Sequence, residues 1–318
     1  MLKALICGIS GQDGAFLARL LLEKGYEVCG TSRDAQASHF ENLSKLGILD
    51  KVKTISMASN DFRSVLQAIS NSEPDEIYNL AGQSSVGLSF EQPAETLESI
   101  ATGTLNLLEV IRFLGLPVRF YNAGSSECFG DTSGTAADEK TPFHPSSPYA
   151  VAKASAHWLV ANYRNAYGLF ACTGILFNHE SHLRPTRFVT RKIIKAAVEI
   201  SRGNQEKLIL GNMDIKRDWG WSPEYVDAMW RMLQTDKPED FVISTGESNS
   251  LEDFVAAAFS EVGLDWRQYI VQDTKLFRPS EISYNCGNAE KAHRVLDWQA
   301  QMKMRDVVHE MIRYDQLL

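Results

Sequence analysis

The 318-residue chain contains no apolar run approaching membrane length, and its first short hydrophobic stretch, in MLKALICGIS, meets glycine at position 8. A membrane helix needs about 20 apolar residues in succession. No small-residue cleavage pattern follows the start, so a cytoplasmic protein without membrane partners is expected. Positive charge is scarce: 32 Lys and Arg face 40 Asp and Glu, giving net −8. That balance excludes bulk attraction to nucleic acid or anionic membrane, while leaving room for a local anion site. Cysteine is sparse and odd in number, at Cys7, Cys29, Cys128, Cys172 and Cys286. This excludes a disulfide framework and predicts reduced, mostly buried thiols. Neither these nor His144, His157, His179 and His182 have metal-ligand spacing. The histidines read as satisfied or surface groups, with no metal site. Repeats, low-complexity tracts and flexible linkers are missing too.

What is present is enough apolar sequence, 44% of residues, for a large core. Short β-branched or aromatic runs at 2–7, 27–31, 52–57, 76–80, 118–122 and 170–176 alternate with helical patterns at 15–24, 62–70, 102–113 and 149–167. Such alternation predicts right-handed crossovers and a parallel sheet covered on both faces. After residue 178 the rhythm loosens, with helical patterns at 189–201, 223–233, 251–262 and 304–314. A smaller second unit fits that change. Without a linker, the two units share an interface, a common place for a site.

Directly after the first run comes Gly8-Ile9-Ser10-Gly11-Gln12-Asp13-Gly14, leading into a helical pattern. Glycines let backbone N–H groups approach a pyrophosphate at a helix N-terminus. The spacing is GxxGxxG rather than GxGxxG, but the strand–turn–helix context matches a dinucleotide site. A dinucleotide lacking the 2′-phosphate is held by a carboxylate about 20 residues further on. That window reads Thr31-Ser32-Arg33-Asp34. Ser32 and Arg33 suit a 2′-phosphate, which favours NADP; Asp34, in another register, leaves NAD open.

Tyr149 and Lys153 stand four residues apart on a pattern opened by Ser147 and Pro148. That spacing puts phenol and ammonium on one helix face. The cation is expected to lower the phenol toward a usable range, so that Tyr149 can take a hydroxyl proton. Gly124-Ser125-Ser126-Glu127 follows the strand ending VRFYNA, at the carboxyl end where open α/β sheets bind ligands. A serine there can hold a reacting oxygen, and a carboxylate can move a proton at a neighbouring carbon.

With these residues in place, the chain resembles the extended short-chain dehydrogenase/reductases that act on nucleotide sugars, and among them the GDP-mannose 4,6-dehydratase family. The resemblance rests on GISGQDGAFLARLLLEKGY, EIYNLAGQSSVGLSFEQP, GSSECFG, DEKTPFHPSSPYAVAKASAHW, GILFNHES, LGNMDIKRDWG, YVDAMW and FRPSE, from residue 8 to about 281. It implies a Rossmann-like doubly wound α/β fold with a smaller C-terminal substrate-binding domain. Residues 1–178 would bind the dinucleotide, with 214–246 returning to them, and 179–213 plus 247–318 would bind the nucleotide sugar. It implies that Gly8, Gly11, Gln12, Asp13, Gly14, Arg33, Leu80, Ala81 and Gln83 line the cofactor. Ser125, Tyr149 and Lys153 would be catalytic, with Glu127 the additional acid/base. Ser84, Ser126, Asn178, Arg184, Lys192, Arg217, Arg278 and Glu281 would hold the GDP-sugar. The helices at 102–113 and 149–167 resemble the superfamily's dimer interface, implying a homodimer or homotetramer.

Departures from the family pattern are specific. The arginine pair and basic loop usual after the second strand are Arg33-Asp34-Ala35-Gln36-Ala37-Ser38-His39 here. The family's QSHV is Gln83-Ser84-Ser85-Val86, and its ESPLRG is Glu180-Ser181-His182-Leu183-Arg184-Pro185. Both border the sugar, so the hexose itself, or a heptose, is left open. A GDP-sugar 4-epimerase or 4-reductase would need Ser125, Tyr149 and Lys153 but not Glu127. A non-catalytic dinucleotide sensor would need none of the four.

Overall fold

Each buried apolar run of the first half is followed by a segment that can cover it, so the chain builds parallel strands joined by crossover helices. In the computed structural model, which describes residues 1–317, nine strands matter here. They are β1 (Lys3–Cys7), β2 (Glu27–Ser32), β3 (Lys53–Ser56), β4 (Glu76–Asn79), β5 (Arg119–Ala123), β6 (Ala171–Leu176), β7 (Asn178–Glu180), β8 (Trp219–Trp221) and β9 (Phe241–Ile243). The principal helices are α1 (Gln12–Glu23), α2 (Phe62–Ser72), α3 (Gly103–Leu114), α4 (Pro148–Tyr167), α5 (Val189–Ser201), α6 (Ser222–Met232), α7 (Leu251–Glu261) and α8 (Met304–Gln316).

A seven-stranded sheet runs in the order β9-β6-β5-β4-β1-β2-β3, every pair parallel. This is the Rossmann-like doubly wound arrangement. The strand order reverses between β1 and β4, and the crevice beyond their carboxyl ends is the ligand position of such sheets. One face is buried under α1 and α6, with Ile6, Phe16, Tyr78, Tyr225 and Met229 in its core. The other packs under α2, α3 and α4 through Leu5, Val65, Leu107, Ile111 and Val160. A second core gathers Ile193 and Ile194 of α5, Phe254 and Phe259 of α7, and Val308 and Met311 of α8. The chain crosses between the cores: β7 pairs with β8 from Asn178↔Trp219 to Glu180↔Trp221, and β9 then extends the main sheet beside β6.

Two local differences from the sequence pattern have physical causes. Helix α1 begins at Gln12 rather than Ala15, because Gly11 is its N-cap and the turn residues form its first helical turn. Residues 86–102 carry no clean periodicity, yet form helices Val86–Glu91 and Pro93–Leu97 and a π-helical stretch, Glu98–Thr102, that runs into α3. Among the described residues, no helix is long and apolar enough to cross a membrane.

Glycine 14 shows how tightly α1 must approach the first turn. A Cβ there would lie 2.5 Å from the Gly8 carbonyl oxygen and 2.6 Å from Ile9 Cα. In a helix interior, alanine in place of glycine ordinarily stabilises by about 0.5–1 kcal/mol. Here the overlap is with backbone, and overpacking costs about 1–3 kcal/mol. Gly14→Ala is therefore expected to lower the urea midpoint, and an unchanged or raised midpoint would contradict this packing.

Candidate active site

The site begins where β5 ends. After Ala123, Gly124 passes so close to β6 that a Cβ would sit 2.7 Å from Thr173 Cγ2 and 2.9 Å from the Gly174 carbonyl oxygen. Ser125 then opens a short 3₁₀ turn, Ser126–Phe129, its hydroxyl accepting from the Glu127 N–H at 3.3 Å. Helix α4 faces this turn. Ser147 caps it by accepting from the Ala150 N–H at 3.1 Å, Pro148 takes its first position, and Gly168 ends it in the left-handed conformation. Its small residues Ala150, Ala152, Ala154 and Ala156 are buried, so the helix lies close enough to the sheet for Tyr149 and Lys153 to reach the end of β5. Lys153 Nζ donates to the Ala123 carbonyl at 2.8 Å.

One cavity of about 420 Å³ collects most of the residues singled out in the sequence. Asp13, Leu80 and Ser84 line one side; Ser125, Ser126, Glu127, Tyr149 and Lys153 line its floor. Asn178, Arg184, Lys192, Arg217, Arg278 and Glu281 line the part built on the second core. Arg184 is held 3.2 Å from the buried Glu180 carboxylate, its guanidinium 3.8 Å from the Phe188 ring centroid. Arg217 is buried, donating to the Ile282 carbonyl at 2.7 Å and to Glu281 Oε1 at 3.0 Å. Arg278 reaches that same oxygen at 3.3 Å. Lys192, more exposed, donates to the Ile209 carbonyl at 2.7 Å.

Gly8, Gly11, Gln12, Gly14, Arg33, Ala81 and Gln83 do not line this cavity; they lie in the glycine turn, at the end of β2 and in the loop after β4. The turn fits a dinucleotide. Gly8 has φ +85°, and Gly11 caps α1 with no side-chain hydrogen bond across the first N–H groups, leaving them for an anion. The Gln12 side chain is already committed, to His179 and Ser181, so its backbone is what it can offer a ligand. Gln83 likewise bonds Ser85 and Thr96. At the end of β2, Asp34 is occupied by its own turn, accepting from the Gln36 and Ala37 N–H groups at 3.0 and 3.1 Å. Arg33 is 83% exposed, with Glu95 3.4 Å away.

The electrostatics correct one expectation. Lys153 does not bring Tyr149 down: burial raises the phenol above its ordinary 10, and the hydrogen bond with Ser125 only partly opposes this. Burial also acts on Lys153, pulling its ammonium down to about 8. Glu127 is raised above 4.5 by burial, against the opposing charges of Arg217 and Arg278. Burial therefore biases the floor toward neutral phenol and strengthens the carboxyl's hold on a proton, beside a cation that gives up its proton more easily.

Sequence reasoning missed Phe188, Leu210, Asn212, Ile215 and Leu276, which also line the cavity. Apart from Asn212 they are apolar, and carry no motif that would separate them from core. Trp219 lines it too while packing against Phe254 at 5.1 Å in the second core.

Fold, glycine turn and the Ser125–Tyr149–Lys153 set together define an extended short-chain dehydrogenase/reductase. The chain belongs to the GDP-mannose 4,6-dehydratase family, whose model, described as GDP-mannose 4,6 dehydratase, matches residues 5–311. It is 46% identical to GDP-mannose 4,6 dehydratase 2 of Arabidopsis thaliana, over 98% of this chain and 86% of that one. It is 44% identical to GDP-mannose 4,6-dehydratase of Sinorhizobium fredii, over 98% and 96%. The fold is shared with dTDP-glucose 4,6-dehydratase of Bacillus anthracis, solved in complex with NAD, at TM-score 0.86 and 18% identity, covering 100% and 97% of the two chains.

The arginine pair supports one stability prediction. Glu281→Ala leaves Arg217 buried without its carboxylate, and breaking such a pair costs about 3 kcal/mol. A urea denaturation curve should show the loss; an unchanged midpoint would mean Arg217 is held by backbone carbonyls alone.

Proposed function

We propose that the protein is a nucleotide-sugar 4,6-dehydratase, a hydro-lyase that converts GDP-mannose or a close GDP-sugar to the GDP-4-keto-6-deoxy sugar. The carrying observation is Glu127: a carboxyl group on the cavity floor beside Ser125 and facing Tyr149 and Lys153, its hold on a proton strengthened by burial, as a group that takes a proton and then gives it up requires. An epimerase or reductase at C4 has no use for it.

The backbone of Gly8, Gly11, Gln12 and Gly14 would hold a nicotinamide dinucleotide along the glycine turn; bound there in its oxidised form, it would supply hydride-transfer capacity and a positive ring charge that favours phenolate nearby. Tyr149 takes the C4 hydroxyl proton, and Ser125 hydrogen-bonds the C4 oxygen. Lys153, fixed to the Ala123 carbonyl, keeps a cation beside the developing phenolate. The C4 ketone acidifies the C5 proton; the Glu127 carboxylate removes it and gives it to the C6 hydroxyl, which leaves as water. When hydride adds to C6 a proton is delivered to C5, balanced by the one Tyr149 took from the C4 hydroxyl and exchangeable with solvent. Arg184, Lys192, Arg217 and Arg278 supply the positive charge a nucleoside diphosphate requires. In this reading the second core is the nucleotide-sugar unit.

NADP is the preferred dinucleotide in this proposal, with NAD the alternative. Its support is the end of β2, where Asp34 is engaged by its own turn while Arg33 is exposed, with only a long, surface contact to Glu95 to exchange for a 2′-phosphate. A homodimer or homotetramer is supported by Trp158 of α4 and Phe113 of α3, which are 62% and 67% exposed.

Two measurements test the proposal. Incubated with GDP-mannose and no added reductant, the protein should release a 4-keto product, and Glu127→Gln should slow its release by about 10²–10⁴-fold. Wild-type rates in the glutamine variant, or a C4 epimer as product, would remove Glu127 from the reaction. Arg33→Ala should weaken NADP about tenfold, roughly the value of a charge-assisted hydrogen bond, and leave NAD unchanged. Equal effects on both dinucleotides would mean that Arg33 does not face a 2′-phosphate.

A further inference from the structure

Beside the glycine turn lies a buried ion pair that the proposed reaction leaves unused. Asp13 Oδ2 is 3.0 Å from His179 Nε2, and His179 Nδ1 is 2.7 Å from the Phe177 carbonyl oxygen. Both neighbours of the ring are acceptors. A neutral imidazole has one N–H and one lone pair, so either tautomer would aim a lone pair at an oxygen. An imidazolium donates to both. A carboxyl protonated on Oδ2 would be the alternative, but its other oxygen already accepts from the Ser222 hydroxyl at 2.8 Å and from Gln12 Nε2 at 3.0 Å, and such donors favour the carboxylate.

The surrounding charges agree with that geometry. Burial works against ionised Asp13, but His179, Arg184 and Ser222 outweigh it and hold the carboxyl below its usual range. Burial and Arg184 disfavour the imidazolium, yet the charge and hydrogen bond of Asp13 and the Phe177 carbonyl raise it above 6.5. Arg184 comes from the segment after β7 and is paired with Glu180 of β7 itself. From α6, the Tyr225 ring stacks on His179 at 4.5 Å; from α4, Lys153 feels the Asp13 charge.

The position gives the pair its purpose. Asp13 is in the first turn of α1, where uncapped N–H groups face outward, and it borders the cavity. An uncompensated carboxylate there would repel a pyrophosphate at the same helix terminus. We propose that His179 is a positioning residue, a buried imidazolium that cancels the Asp13 charge so that the N-terminus of α1 can accept a dinucleotide pyrophosphate. This rests on the dinucleotide reading above. Its sign is fixed: the compensating charge is present at low pH and lost as pH rises through the raised His179 midpoint, so dinucleotide affinity falls in that direction.

Calorimetric titration of NADP from neutral to alkaline pH into wild type, His179→Gln, Asp13→Asn and the double variant tests it. Wild-type affinity should decline with pH, and His179→Gln should bind about tenfold more weakly at neutral pH with little pH dependence. Adding Asp13→Asn to His179→Gln should restore affinity to that of Asp13→Asn alone, a rescue that a purely structural pair would not give. Wild-type affinity and slope in His179→Gln, or a double variant as weak as His179→Gln, would overturn the inference. Should His179→Gln fail to fold, ¹⁵N spectra of histidine-labelled wild type decide: two protonated ring nitrogens at neutral pH support it, and a neutral imidazole overturns it. Wild type that bound no dinucleotide at any pH would instead overturn the dinucleotide reading beneath it.

Discussion

The hydrogen bond from Lys153 to the Ala123 carbonyl joins the two halves of the cavity floor. It ties the first turns of α4 to the last residue of β5, the point from which Ser125 and Glu127 depart. Everything near it is arranged to allow that contact. Gly124 lets β5 pass against β6 without a side chain, and the buried alanines of α4 bring the helix down onto the sheet. A buried ammonium with a single carbonyl partner is a costly group to keep. Its retention is understandable if a negative or developing negative oxygen arrives beside it, as the proposed chemistry requires.

The same burial gives the floor a common electrostatic bias. Tyr149 and Glu127 are pushed toward their neutral forms, and Lys153 down to about 8. Charge enters the cavity from the other side, where Arg217 and Arg278 share Glu281 and Arg184 leans on Glu180. Each of these arginines is already paired, so a diphosphate would exchange one set of carboxylate contacts for another rather than meet bare cations. A protein of net charge −8 can thus hold a doubly phosphorylated ligand: net charge describes the outer surface, and the cavity wall is set locally.

The parallel alternation was legible because β1 to β6 are short buried runs with helices between them, and the convergence of Ser125, Tyr149 and Lys153 on one cavity because strand end, capped helix and i,i+4 spacing coincide. Three things were not. Strand β9 is only three residues, Phe241–Ile243, too short for any periodicity, and joins the sheet through a partner distant in sequence. The apolar wall, from Phe188 to Leu276, comes from scattered elements whose residues look like core until the cavity is seen. The direction of the Tyr149 shift depended on burial depth, which spacing does not encode; the cation four residues away was visible, but the desolvation that outweighs it was not. His179 is the satisfied histidine the sequence reading allowed, but the two acceptors that flank it come from the fold and not from its own segment.

The central claim is that one cavity removes hydride and water from a single sugar and then returns the hydride, with Glu127 moving the protons between C5 and C6. Its most direct test is the fate of a label. GDP-mannose carrying deuterium at C4 should yield a 4-keto-6-deoxy product with that deuterium at C6, and with a solvent-derived proton at C5, without added reductant. Loss of the label to free dinucleotide, or its return to C4, would contradict the account.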